Sequence, residues 1–100
     1  MTSERQSSGK PPKSAALVAL GQQIRKIREG RHISQEDFAS LAGIDRSYYG
    51  GIERGERNVA ALNLMNIAAA LAVEVGDLFP PVRDLSGIGE GSERETTDDE

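Results

Sequence analysis

The stretch from Ser34 to Ile52 constrains this chain more than any other; it reads SQEDFASLA, then GID, then RSYYGGI. Phe38, Leu41 and Ala42 stand at i, i+3 and i+4, so a helix gathers them on one face. Ser34 is placed to cap that helix. Asp37 lies three residues on, in the capping-box position that Glu or Gln more often fills. Gly43 follows the last apolar residue, where a chain leaves a helix most easily with a positive φ. Asp45 is then an N-cap for a second helix. In it Tyr49 and Ile52 face inward, while Arg46, Ser47, Tyr48, Gly50 and Gly51 face out.

Two helices joined by a tight glycine turn, the second with an outer face free of bulky aliphatics, make a helix-turn-helix layout. The flanking pattern is helical too. Leu17, Leu20, Ile24 and Ile27 predict a helix over about 16–29, with Gly30 as its stop and Ile33 as a buried plug after Arg31 and His32. A polar loop, Arg54 to Asn58, carries Gly55 where the second motif helix should end. Leu64, Ile67, Ala68 and Leu71 predict a helix over about 60–72, its start weakened by Ala60 in the capping position. A short last helix over about 74–79 runs up to Pro80 and Pro81. The expectation is an all-α, five-helix domain over residues 16–80. Residues 1–15 form a disordered arm, and residues 81–100 a disordered acidic tail.

A net charge of −4 looks wrong for a nucleic-acid binder until it is divided along the chain. The first fifteen residues carry +2, residues 16–80 carry −1 and residues 81–100 carry −5. The acidity is therefore mostly in the tail, and affinity for DNA follows the charges that face phosphate rather than the total. The absence of cysteine excludes a disulfide framework and a thiolate metal site. No apolar run approaches membrane-spanning length and no secretory h-region follows Met1, so a cytoplasmic protein is expected. His32, the only histidine, has no serine, cysteine or carboxylate in a recognisable triad context and reads as a solvated loop residue. Neither a metal cluster nor a phosphate loop is present, so no enzyme activity, cofactor or small-molecule ligand is expected.

Ser34-Gln35, Ala39, Gly43-Ile44, Ile52 and Glu53-Arg54-Gly55 resemble the helix-turn-helix of lambdoid phage repressors, the Cro/repressor or xenobiotic-response-element family. Tyr48 with Ile52 to Asn58, IERGERN, is most similar to restriction–modification controller proteins. The resemblance runs from about Leu17 to Phe79 and implies a lambda-repressor-like domain that binds a double-stranded DNA operator as a homodimer. It makes Arg46 and Ser47, in the first turn of the recognition helix, the residues that reach deepest into the major groove. An arginine there can fork onto guanine O6 and N7. Tyr48 and Arg54 complete the expected base-contacting set. Gln35, at a helix N-terminus, and Arg57 and Asn58, on the following loop, are expected on phosphate. Arg28 and Glu53 match an ion pair that the phage repressors bury, and are assigned to structure. Tyr49 matches a buried aliphatic position, with its hydroxyl expected at the rim.

Gly50 and Gly51 each cost about 1 kcal/mol against alanine within a helix. Close approach of their backbone to DNA or to a neighbouring helix is the compensation expected of them. Leu62, Met65 and Ala69 form a second apolar stripe beside the core stripe of their helix. With Leu78 and Phe79 they are expected to form the dimer interface. Two further readings stay open: the arm as a basic extension toward DNA, and the chain as the antitoxin of a toxin–antitoxin pair. Against the second, the tail offers only Leu85 and Ile88 as apolar anchors.

Overall fold

The computed structural model describes residues 14–81; the expected arm and acidic tail fall almost wholly outside them. The chain forms four α-helices: α1 (Ala15–Gly30), α2 (Gln35–Ala42), α3 (Arg46–Glu53) and α4 (Ala61–Leu71). There is no strand among the described residues, and no helix there is long and apolar enough to cross a membrane. The fifth helix expected from the sequence is instead a single 3₁₀ turn, Val75–Leu78. Two successive prolines close behind it explain the difference, because neither can donate an amide. Phe79, ahead of Pro80, is extended at φ −103° and ψ 132°, as the residue before a proline prefers.

The helix ends follow local chemistry. Ser34 Oγ accepts from the Asp37 N–H at 3.0 Å, and Asp45 Oδ2 accepts from the Tyr48 N–H at 3.1 Å. Ser14 Oγ accepts from the Leu17 N–H at 3.3 Å and starts α1 one residue earlier than the apolar period indicates. Gly43 leaves α2 at φ +73°. Helix α1 stops at Gly30 as expected, but Gly30 stays in helical conformation, and the left-handed residue is His32, at φ 61° and exposed. The reversal comes there because Ile33 has to turn back and pack against the core. Ala60 makes no side-chain cap for α4. At the other end of α4 the left-handed residue is Ala72, and Arg31 Nε donates to the Leu71 carbonyl at 2.7 Å.

The core lies between the four helices, with Phe38 of α2 and Tyr49 of α3 at its centre, both fully buried. Their rings meet at 5.2 Å between centroids and tilt by 50°, a geometry worth about 0.5–1.5 kcal/mol beyond burial. Ile24, Ile52, Ile67 and Leu71 fill the space around them. Two expectations about apolar residues fail here. Leu41 is 63% exposed rather than part of the inward face of α2, because that face is centred on Phe38, Ala39 and Ala42, which turns Leu41 toward solvent. Leu78 is fully buried, so it is a core residue and not part of a dimer surface. The 3₁₀ turn swings it inward, held by a hydrogen bond from Gln23 Nε2 to the Asp77 carbonyl at 3.2 Å.

The contact that sets the position of α3 is one of backbones. A side chain at Gly21 of α1 would begin against the Ile52 carbonyl oxygen and 2.5 Å from that of Glu53. One at Gly55, where φ is +79°, would begin 2.6 Å from Val18 Cα. We therefore expect Gly21→Ala to lower stability by about 1–3 kcal/mol through overpacking. Ala60→Ser should raise it by about 1 kcal/mol by supplying the missing cap. Thermal unfolding of both variants checks the pair. A Gly21→Ala protein as stable as wild type would mean that α1 and α3 can separate freely.

Candidate nucleic-acid interface

Helix α3 begins on a capped, solvent-facing turn. Arg46 and Ser47 lie exposed on it, as the sequence suggests for residues that reach a ligand. Tyr48 does not simply face outward. It is half-buried, packs on the core edge and lies under Arg57, whose guanidinium carbon is 5.6 Å from the ring centroid. An exposed cation over an aromatic face gains about 0.5–1 kcal/mol.

Gly50 and Gly51 are covered, not open. A side chain at Gly51 would begin 2.9 Å from Arg57 Cγ, and one at Gly50 would begin 3.1 Å from Arg54 Nη1 and 3.5 Å from Gln35 Oε1. The neighbours that approach these glycines are thus two arginine side chains returning from the loop after α3. The structure brings Tyr48, Gly51 and Arg57 into one cluster, and Gln35, Gly50 and Arg54 into another beside it. Asn58 is exposed on the same loop. Glu56 was not singled out from the sequence. Its Oε1 lies 3.2 Å from Arg54 Nε, and only its place between two arginines hinted at this.

Behind the glycines is the ion pair. Arg28 Nε donates to Glu53 Oε2 at 2.7 Å and Arg28 Nη2 to Glu53 Oε1 at 3.1 Å, a two-point fork. Arg28 Nη1 donates to the Ile33 carbonyl at 2.7 Å, and Gln35 Nε2 to Glu53 Oε1 at 2.9 Å. Both members of the pair are buried. Gln35, expected on phosphate, is thus engaged inward through its amide nitrogen. The Tyr49 hydroxyl is buried without a hydrogen-bond partner rather than sitting at the rim. Burial pushes its phenol well above the ordinary value, and the Glu53 carboxylate pushes it the same way. For Glu53 burial acts upward, but the hydrogen bonds from Arg28 and Gln35 and the Arg28 charge outweigh it and hold the carboxyl below its ordinary value. The carboxylate in turn raises Arg28. Among the described residues no group of three His, Cys, Asp or Glu side chains could hold a metal ion.

A family model described as helix-turn-helix matches residues 24–78, more than half of the chain. Control protein C.MunI from Mycoplasma sp is 39% identical over 66 residues, which cover 65% of this chain and 89% of that protein. The crystal structure of the restriction-modification controller protein C.AhdI from Aeromonas hydrophila aligns with a TM-score of 0.62 at 49% identity, covering 63% of this chain and 96% of that one. The biofilm master regulator SinR, solved in complex with DNA, aligns with a TM-score of 0.57 at 33% identity, over 59% of this chain and 95% of that one.

The buried pair makes a stability prediction with a definite sign. Glu53→Gln leaves Arg28 buried without its counter-charge and should cost about 3–5 kcal/mol. Because the Glu53 carboxyl is depressed in the folded state, its contribution is complete above the ordinary value of 4.5 and is lost as pH falls through the lower folded value. Urea unfolding at stepped pH should therefore give a shallower acid dependence for Glu53→Gln than for wild type. Equal slopes would assign the acid sensitivity to other carboxylates.

Proposed function

This chain belongs to the helix-turn-helix family, and we propose that it acts there as a sequence-specific duplex-DNA-binding regulator of transcription of the controller type. On this reading residues 16–80 are the DNA-binding unit, α3 enters the major groove, and the protein works in the cytoplasm without catalysing a reaction. The observation that carries it is the outer face of α3: two exposed hydrogen-bonding side chains at its capped start, and two arginines folded over its glycines. Arg46, Ser47, Tyr48 and Arg54 are the base-contacting residues, and Arg57, Asn58 and Gln35, the last through its backbone N–H at the start of α2, the phosphate-contacting ones. The control proteins among its relatives favour this over the antitoxin alternative.

The working form is a homodimer. Leu62 is 66% exposed, Met65 52% and Phe79 39%, with Ala69 also in solvent. An apolar row left in water at one end of a small domain suits a partner surface. Two-fold pairing there sets the two α3 helices about 34 Å apart, in successive major grooves of a pseudo-palindromic operator.

Selection of bound duplexes from a random pool tests the reading directly, with enrichment of a two-fold related motif as the expected result. Against that motif, Arg46→Ala should lose about 1–3 kcal/mol and flatten preference at one base pair. Arg57→Ala should weaken all sequences alike and lower the salt slope by about one. Met65→Glu should give folded monomers with much weaker operator binding. An intact dimer of that variant in sedimentation would move the interface elsewhere.

A further inference from the structure

The loop after α3 holds one arginine by its backbone and by its guanidinium. The Arg54 backbone closes α3 as its C-terminal cap, with its N–H donating to the Gly50 carbonyl. Its Nε pairs with Glu56 Oε1 at 3.2 Å, and its Nη1 lies 3.1 Å from the point where a Gly50 side chain would begin. The Glu56 N–H donates to the Gly51 carbonyl at 2.8 Å, so the carboxylate is carried at a definite place against the helix end. The arrangement does little for the two ordinary purposes of such groups. The Arg54 side chain is 55% exposed, and an ion pair that open contributes little to fold stability. A carboxylate beside a DNA-facing arginine also takes away attraction for phosphate. What the pair does change is the freedom of the guanidinium. A tethered fork loses less rotamer freedom when it meets a base edge than a free side chain does.

We infer that Glu56 is a specificity-determining positioning residue, holding the Arg54 guanidinium over Gly50 as an oriented, partly neutralised donor fork for a base edge rather than a loose cation for phosphate. The inference rests on the duplex-DNA reading proposed above. It also gives Gly50 a purpose. A methyl group there would meet the far end of a flexible side chain, which the fold can accommodate but the fork cannot.

The test uses the full-length protein, the duplex that wild type selects from a random pool, and a scrambled duplex of equal length, with binding measured over a range of salt. Glu56→Gln should bind the scrambled duplex several-fold more tightly, with a log–log salt slope steeper by about 0.9 as the freed arginine neutralises one more phosphate. Its ratio of selected to scrambled affinity should fall about fivefold or more, the lower end of what one oriented base contact supplies. Gly50→Ala should lower the same ratio without lowering the melting temperature. In an Arg54→Ala background, Glu56→Gln should change the ratio no further. An unchanged ratio in Glu56→Gln, or an equal fall with and without Arg54, overturns the inference and leaves the DNA reading standing. Failure of wild type to enrich any sequence overturns both.

Discussion

The Arg28–Glu53 pair is the interaction on which the rest of the structure depends. One guanidinium joins the last turn of α1, the connection at Ile33 and the last residue of α3, while Gln35 brings α2 to the same carboxylate. Replacing such a pair by well-packed apolar groups is often neutral for stability, so its net energy is not the reason it matters. Its effect is geometric. Two charges that must meet inside a small core leave very few ways for three helices to lie against one another. The flat contact at Gly21 then lets the α3 backbone sit directly on α1.

Helix α3 trades stability for a surface that its own side chains could not make. Two adjacent glycines weaken a helix of eight residues, which is offset by the Asp45 cap at its start and the buried Glu53 at its end. The space they leave is covered by the Arg57 stem over Gly51 and by the Arg54 guanidinium over Gly50. The charged groups on this face therefore come largely from the loop. Such groups have the reach of a loop and, where Tyr48 and Glu56 hold them, some of the order of a helix.

Much of this was legible in the sequence. Ser34, Gly43 and Asp45 mark helix ends through groups that act within three residues of themselves, so no tertiary context was needed to read them. The core stripes of α1 and α4 followed from period alone, and the likeness to repressors and controllers carried the Arg28–Glu53 pairing. Illegible were Leu41, which period places inward although α2 turns Ala39 to the core in its stead, and Leu78, which looked like surface until a 3₁₀ turn carried it under. Glu56 and Gly21 gave no signal worth acting on, because their partners are reached only once the helices have packed.

The sequence by itself determined the capped ends of α2 and α3, the core stripes of α1 and α4 and which turn presents Arg46 and Ser47, since each depends on neighbours three or four residues away. Only the tertiary structure decided that the glycine pair would be roofed by arginines, that Tyr48 would lie beneath Arg57 and that Gln35 would turn inward to Glu53. Those outcomes depend on distances between elements far apart in the chain. Such distances are set by the packing of the whole core, which no local pattern encodes.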